Sequence, residues 1–469
     1  MKKLIVVLFT IITLTGLIAP KIVASKIESS LYELAILMNN TPGYTVEVQQ
    51  VESSWFTTNA KLNVGFDLSV LGDIPDSAAI ESLTVQVDFN AAHGPFRLGK
   101  NAGLGWLGWS AEVSGKELRT HLVWPENSPF YLIQADMGLF GGQDFEDTLQ
   151  AFTLDIVADT VKFAFSGYSG EGHYNGDKLS YQSNIESFTG TSYEGDFTMN
   201  NFSVELDIDS SIQEILENGF YSSNTKLNFA NINVASKEKT EKIELSDLYM
   251  TMATFLDKDN QHGNMQITYG AKKIDTSEFH GEDLVLALEV NNISGEFLKA
   301  YQAHTKALYS NHAKDTSAKT MEFMLNNLLS VLTAEPQINI TRFKGTFPEG
   351  SFSSNIHTSL VGVSALPAPL ENPSFWLSHV VLNGNISGDK AVVEMIASQV
   401  MKSQLQSNPQ AQDMTDDELN QLTAQQVPAM LAMLTQQGML VATETSYTSN
   451  FSLIDSKLKV NETQVPLPF

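Results

Sequence analysis

Residues that could bind a metal or carry out acid–base chemistry are scattered along this sequence. The nine histidines lie at 93, 121, 173, 262, 280, 304, 312, 357 and 379, and none belongs to an HxxxH or HExxH motif. The segment Asp257–Gly263 begins like a calcium loop but lacks the closing glutamate, so we interpret it as a hairpin turn. No nucleophile elbow or phosphate-binding loop is present. The sequence therefore predicts no catalytic residue, no metal site and no cofactor.

One glycine motif could suggest nucleotide binding. Gly103-Leu-Gly105-Trp-Leu-Gly108 matches the letters of the dinucleotide-binding motif. That motif requires a preceding strand and a following helix whose N-terminus faces the pyrophosphate. Here Trp106 and Trp109 crowd the glycines and no helical pattern follows. We interpret the segment as a glycine- and tryptophan-rich loop or strand edge.

Composition limits the partners and the chemistry of the chain. The formal net charge of −26 argues against nucleic-acid binding, which requires clustered basic residues. The charge favours solubility through self-repulsion, with an acidic face for a basic partner as the alternative. Cysteine is absent, which excludes disulfides, thiolate nucleophiles and cysteine-based metal sites.

The N-terminus carries an export signal. Lys2 and Lys3 precede residues 4–19, which contain no charged residue. A cleavage site after Ala24 would place the bulky Ile22 at position −3. We therefore predict that residues 1–24 are an uncleaved signal-anchor, a single transmembrane helix with its N-terminus in the cytoplasm and the body in the periplasm. The alternative is a cleaved signal peptide and a soluble periplasmic protein.

The remaining sequence predicts a mainly β (α+β) fold, built on long curved antiparallel sheets. A connecting helix and turn occupy 25–45, followed by a β-rich region at 46–295 in which apolar and polar residues alternate. An α+β region at 296–469 has helical periodicity at about 296–332 and 390–438 and ends in a hairpin. Alternating runs are predicted as strands at 62–70, 83–89, 152–157, 161–166, 202–208, 226–234, 243–255, 284–290, 338–343, 356–363 and 377–386.

Three patches resemble the YdgA family of bacterial inner-membrane proteins, which carry a domain of unknown function. The first is Gly43-Tyr44 with Ser54-Trp55-Phe56-Thr57-Thr58, and the second is His93-Gly94-Pro95. The third runs from Leu419 to Leu467 and is similar to the family's helix, turn and final hairpin. The resemblance implies one N-terminal anchor, a periplasmic body and no established catalytic residues. It makes Trp55, Phe56, His93, Gly94 and Pro95 candidate residues of unknown role.

Three functions from different classes are considered. We favour a non-enzymatic envelope protein that binds a lipid or other apolar ligand along a β-groove, because long alternating strands are combined with Met- and Leu-rich helices. The alternative is a structural or protein-interaction component, for example a homodimer. A hydrolase of envelope polymers is the least favoured hypothesis, because no cleft residues with matched spacing are visible.

Overall fold

The fold was obtained as a computed structural model. It describes residues 2–41, 43–67, 82–97, 99, 101–120, 122–156, 161–211, 214–215, 220–237, 241–257, 262–277, 279–310, 316–407 and 415–467. The fold is mainly β, with antiparallel strand pairing and helices in the C-terminal half, which confirms the predicted class.

The strands fall into an N-terminal and a C-terminal series. The first series is β1 (Tyr44–Ser53), β2 (Thr57–Asp67), β3 (Ser82–His93), β4 (Phe96–Arg97), β5 (Gly103–Leu104), β6 (Leu107–Val113), β7 (Leu122–Val123), β8 (Tyr131–Met137), β9 (Gln143–Leu149), β10 (Phe152–Ile156), β11 (Val161–Phe165), β12 (Tyr168–Tyr174), β13 (Leu179–Thr191) and β14 (Gly195–Asp209). The second is β15 (Ser222–Ser236), β16 (Lys242–Asp257), β17 (His262–Asp275), β18 (His280–Ser294), β19 (Gln337–Phe347), β20 (Gly350–Leu360), β21 (Val380–Asp389), β22 (Val441–Ala442), β23 (Ser446–Ile454), β24 (Lys457–Val460) and β25 (Thr463–Val465).

One long helix precedes the strands, and shorter α-helices lie among the later strands of the described chain. They are α1 (Lys2–Asn39), α2 (Gly295–Ser310), α3 (Thr316–Leu332), α4 (Pro373–His379), α5 (Lys390–Gln406) and α6 (Asp416–Gln436). The chain divides into two compact units. Unit 1 comprises 1–227 and 299–323, and unit 2 comprises 228–298 and 324–469.

In unit 1, α1 packs lengthwise on the sheet. Its buried residues recur at steps of three and four, which places Ala24, Ile27, Leu31 and Ala35 on one face of the helix. That face contacts Val46 of β1, Ala60 and Leu62 of β2, and Ala91 of β3. The alternation in β2 has a direct cause, since Ala60 and Leu62 are buried while the intervening Lys61 is exposed.

The predicted anchor at 1–24 falls largely outside the described side chains. The backbone of α1 is continuous from Lys2, but the side chains of residues 1–19 are not among those described. Within the described part of the chain, no helix combines the length and the apolar character needed to cross a membrane. The anchor therefore stays a prediction.

The sheet of unit 1 is built entirely from antiparallel pairs in its described part. Strands pair in the order β1, β2, β3, β6, β8, β9, β12, β13 and β14. β13 is long enough to pair with β11 as well, and β11 continues to β10 and β7. β4 and β5 form a separate two-stranded ribbon.

Unit 2 repeats the antiparallel pattern with longer strands. The order is β16, β17, β18, β19, β20, β21, β23, β24 and β25. α5 packs against β20 and β21, and α6 packs against α5. A stripe at four-residue spacing (Leu419, Thr423, Val427 and Leu431) is buried on α6, which begins with a capping box of Thr415 and Glu418.

The structure corrects two predicted strands at their ends. The strand predicted at 356–363 stops at Leu360, and the strand predicted at 377–386 starts late. Residues 377–379 were predicted to begin a strand but form the last turn of α4, and β21 starts only at Val380. The reason is a local helix-start signal. The Asn372 side chain accepts a hydrogen bond from the Phe375 amide (3.3 Å), and Pro373 occupies the first helical turn.

The methionines on α5 and α6 do not fill the fully buried positions of these helices. Met395, Met401 and Met430 are half-buried and Met433 is 49% exposed, whereas Met414 lies outside the described residues. The fully buried positions of these helices are held instead by Val392 and by the stripe on α6.

Candidate functional site

One face of the sheet in unit 2 carries large apolar side chains on neighbouring strands. Antiparallel register aligns Tyr269 on β17 with Leu286 on β18, and Leu286 with Phe343 on β19. The same row continues through β20 to Ile386 on β21. Side chains that are aligned across strands share a face, so these residues form one apolar surface.

This surface is the floor of an open trough of about 780 Å³. Its size lies within the range of about 300–1,000 Å³ that is usual for ligand sites. Ile396 of α5 contributes a side chain from above the strands. Of the described residues that line it, three bring a polar side-chain group, namely Tyr269, Lys344 and Ser354. The others are Leu248, Gly270, Ala271, Ile274, Phe279, Leu284, Val285, Leu286, Ile340, Phe343, Phe347, Phe352, Ile356, Ile386 and Ile396.

Aromatic contacts fix one wall of the trough. Phe343 and Phe352 meet edge to face with ring centroids 4.8 Å apart, and Phe347 stacks on Phe352 at 5.9 Å. Phe279 meets Phe347 edge to face at 5.6 Å. Such pairs are each worth about 0.5–1.5 kcal/mol beyond their buried area, so the wall is held in place without a ligand.

Lys344 lies at the border of the trough. It also lines a polar cavity of about 280 Å³ that contains the carboxylates of Asp283 and Asp389. The Asp389 carboxylate accepts hydrogen bonds from the amide (2.8 Å) and hydroxyl (3.2 Å) of Ser351. The side chain of Lys344 makes no hydrogen bond or ion pair with the described residues. The trough is thus apolar along its floor and has a cation at one edge.

The candidate residues predicted from the family resemblance come together in unit 1. Trp55 and Phe56 form the turn between β1 and β2, and the His93 amide donates to the Phe56 carbonyl at 2.9 Å. Gly94 lies against α1, since a Cβ at this position would be 2.8 Å from Cγ of Pro20. Pro95 is half-buried, and its carbonyl accepts a hydrogen bond from the Gly105 amide (3.2 Å). These residues therefore join the first two strands to the helix.

His93 is fully buried at this junction. Its Nε2 lies 3.1 Å from the Thr58 hydroxyl, and its Nδ1 makes no well-formed hydrogen bond to a described residue. Burial lowers the pKa of His93 below its ordinary value of 6.5, and the Lys21 ammonium acts in the same direction. Backbone groups of Thr57 and Pro20 oppose the shift in pKa. The imidazole is therefore neutral at pH 7 and acts as a packed polar element of the junction.

The glycine motif has a structural role. A Cβ at Gly103 would lie 2.5 Å from Nη2 of Arg97, and one at Gly108 would overlap its Nη1. The two glycines therefore leave room for the buried Arg97 guanidinium, which pairs with the exposed carboxylate of Asp136. Gly105 adopts φ +146° over the Met137 carbonyl. β5 and β6, not a helix, contain the motif, in agreement with its interpretation as a strand edge.

A buried carboxylate in the sheet of unit 1 was not predicted from sequence. Asp147 on β9 accepts hydrogen bonds from the hydroxyls of Tyr131 and Tyr181, both at 2.9 Å. Burial raises the pKa of the Asp147 carboxyl. Burial and the neighbouring Asp147 carboxylate together raise the pKa of Tyr131, and they raise the pKa of Tyr168 to about 12. The only sequence signal was Asp147 at an inward position of an alternating strand. Ser183, which is buried and hydrogen-bonded to Tyr168, completes this cluster of hydroxyls around the carboxylate, and we interpret it as a structural polar network.

The opposite face of the same sheet is acidic. An open polar cavity of about 700 Å³ is lined by six carboxylates, which are Asp136, Asp144, Glu146, Glu171, Glu205 and Asp207. Two of them have polar partners, since Nδ1 of His173 lies 2.7 Å from the Asp144 carboxylate and the Lys226 ammonium lies 3.0 Å from that of Glu205. Within the described residues, no group of three or more histidines and carboxylates has the geometry to hold a metal ion.

Comparison with known proteins gives one match. A family model described as "Bacterial protein of unknown function (DUF945)" matches residues 1–468. No curated protein and no solved structure matches the chain.

Proposed function

The chain belongs to the bacterial family of unknown function DUF945, and from that premise we propose that it is a non-enzymatic envelope protein that binds a lipid or other apolar chain in the trough of unit 2. The observation that carries this proposal is the composition of the trough. It combines a ligand-sized volume with a lining that is apolar except for three side chains. Among the described residues, no group of three or more histidines and carboxylates could hold a metal ion for a metal-assisted hydrolysis.

Within the family, we propose that the chain is YdgA-like, on the strength of its Trp-Phe and His-Gly-Pro patches. We further propose that residues 1–24 hold it at the inner membrane with the body in the periplasm, because two lysines precede an uncharged run of 16 residues. This position would keep the trough near the source of an apolar ligand. Cleavage of the segment would leave the body soluble in the periplasm and would leave the trough proposal unchanged.

The physical basis for binding is the cost of leaving the trough in water. Phe343 and Ile386 are 44% and 45% exposed although their strands pair on both sides. Each methylene group that the trough removes from water contributes about 0.8 kcal/mol. Shortening an acyl chain by four methylenes should therefore weaken binding by roughly 3 kcal/mol, a factor of about 200. A ligand recognised only through its headgroup would show no such dependence.

The proposal is tested on the full chain purified in mild detergent. We compare the parent protein with Ile386→Glu, which places a charge on the trough floor, and with Ile454→Glu as the matched control. Both isoleucines lie on strands of unit 2, with exposures of 45% and 50%, but Ile454 does not line the trough. Lipid extracted from each preparation is identified and counted by mass spectrometry.

We expect a stoichiometric lipid in the parent and in I454E, and its loss in I386E. Equal lipid content in all three proteins would refute the trough as the binding site. The alternative of a homodimer is resolved in the same samples by light scattering. If a second copy covers the trough, the parent is dimeric without bound lipid and I386E is monomeric.

A further inference from the structure

We propose that the end of unit 1 from which residues 4–19 emerge docks on a lipid bilayer through an apolar rim. The rim is defined as Trp55, Phe96, Leu104, Leu139 and Phe140. This inference rests on the proposed membrane anchor but adds a second contact, made by the folded body itself. It concerns unit 1 alone and is independent of the trough.

The rim residues lie on three loops at one end of the sheet. Register aligns His93 at the end of β3 with Leu107 on β6, and Leu107 with Met137 at the end of β8. The β1–β2 turn with Trp55 is at this same end, because Thr57 pairs with Ala92. All the rim loops therefore extend past the same edge of the strands.

Hydrogen bonds tie these loops to one another. The indole of Trp106 donates to the Leu139 carbonyl (2.9 Å), and the Trp106 carbonyl accepts from the Gly94 amide (3.0 Å). Phe96 and Leu104 face each other on the ribbon of β4 and β5. The rim is consequently a connected surface supported by backbone contacts.

Helix α1 leaves the body through this end. Pro20 packs on Gly94 beside the rim, whereas Asn39, at the other end of the helix, bonds both backbone groups of Val46 (2.7 and 2.8 Å). The helix therefore runs along the sheet toward the rim in the direction of its N-terminus. Residues 4–19, which contain no charge, continue from there. A bilayer is the occupant that accepts both this segment and the rim.

The rim side chains are unusually exposed for their type. Phe140 has no measurable burial, and Phe96 and Leu104 are 62% and 68% exposed. Tryptophan is enriched where proteins meet the headgroup region of a membrane, and Trp, Phe and Leu are the side chains by which interfacial segments insert there. Isolated exposed apolar residues need no explanation, but a connected set around an emerging apolar segment does.

Charge near the rim does not favour attraction to anionic headgroups. The exposed carboxylates of Asp136 and Asp144 lie next to it, paired with Arg97 and His173. Lys21 is exposed on the adjacent turn of α1. We therefore expect docking to depend on apolar insertion. It should occur on zwitterionic vesicles and persist at about 1 M salt, where screening leaves only about 3 Å of electrostatic range.

The absence of native cysteine gives a direct test. Phe140→Cys is labelled with an environment-sensitive fluorophore in the full chain and reconstituted into phosphatidylcholine vesicles that contain a lipid-bound quencher. Asn127→Cys is the control, because Asn127 is exposed in a turn at the opposite end of the strands, about 20 Å away along β8. We expect blue-shifted, strongly quenched emission from position 140 and neither effect at position 127.

Anchor and rim are distinguished by a parallel measurement of membrane retention after alkaline washing. If the protein is retained but the label at position 140 behaves like the label at position 127, the rim proposal is overturned and the anchor stands. Protein that washes off the vesicles would overturn both. A third variant, Phe140→Ser, controls for the label itself. It should be retained like the parent but should show reduced quenching of tryptophan emission by the same lipid.

Discussion

His93 makes the stability of unit 1 dependent on pH in a calculable direction. Because burial lowers the pKa of the folded state below 6.5, the unfolded chain binds a proton first as the pH falls. The free energy of unfolding should therefore decrease as the pH drops below 6.5 and should level off once the folded state is also protonated. One group contributes at most about 1.4 kcal/mol per pH unit. His93→Gln removes this term while keeping an amide within reach of the Thr58 hydroxyl.

The assay is urea unfolding of the full chain in detergent between about pH 8 and 5, the range in which histidine titrates. Four of the five tryptophans lie in unit 1, so a Trp376→Phe background makes fluorescence report that unit. H93Q should be less pH-dependent than the background by up to about 1.4 kcal/mol per unit. His357→Gln, an exposed imidazole in unit 2, is the control. Parallel pH profiles for H93Q and the background would show that the imidazole is not desolvated.

Three other predictions use the same measurements or the binding assay. Gly94→Ala should destabilise unit 1 by about 1–3 kcal/mol, because a side chain at φ +115° is strained and its Cβ would be 2.8 Å from Pro20, whereas Gly99→Ala, at φ +85° in open space, isolates the backbone part. Asp147→Asn should become more stable relative to the parent as the pH rises from 3.8 through the raised pKa of the folded state, because the parent must ionise a buried carboxyl in that range. A difference in unfolding free energy that does not change with pH would contradict this. Lys344→Gln should weaken binding of a fatty acid more than that of the corresponding alcohol. An equal loss of affinity for both ligands would show that the Lys344 ammonium does not contribute to recognition.

The fold was predictable where a strand has one buried and one polar face. β2 could be recognised from Leu62 and Val64 because α1 covers that face. β12 could not, since its sequence YSGEGHY offers glycines on one side and polar residues on the other. The glycines at 170 and 172 are required by neighbours: a Cβ at Gly170 would lie 2.1 Å from the Tyr181 hydroxyl oxygen. These partners, Tyr181 on β13 and Phe145 on β9, lie outside β12, so the strand carries no hydrophobic signal of its own.

The sequence singles out the two N-terminal patches of the family resemblance but does not show that they meet in the fold. The patches at Trp55-Phe56 and His93-Gly94-Pro95 were singled out separately, and the structure brings them together at α1. Their meeting point, Pro20, gave no signal of its own, because a proline near the end of an apolar run is equally expected at a signal segment. Contact between residues more than 70 positions apart depends on the register of β1, β2 and β3, which the sequence does not state.

The trough shows most clearly why the site itself was not predictable. Strict alternation along β19 places Ile338, Ile340 and Arg342 on one face, which would interrupt the apolar surface with a guanidinium. The structure instead shifts register between Ile340 and Phe343, so that these two residues lie on the same face although three positions separate them. Such a bulge reverses the facing of every later residue on the strand. Phe343 and Phe347 join the trough, and Arg342 is left exposed, because of this single irregularity in the ladder.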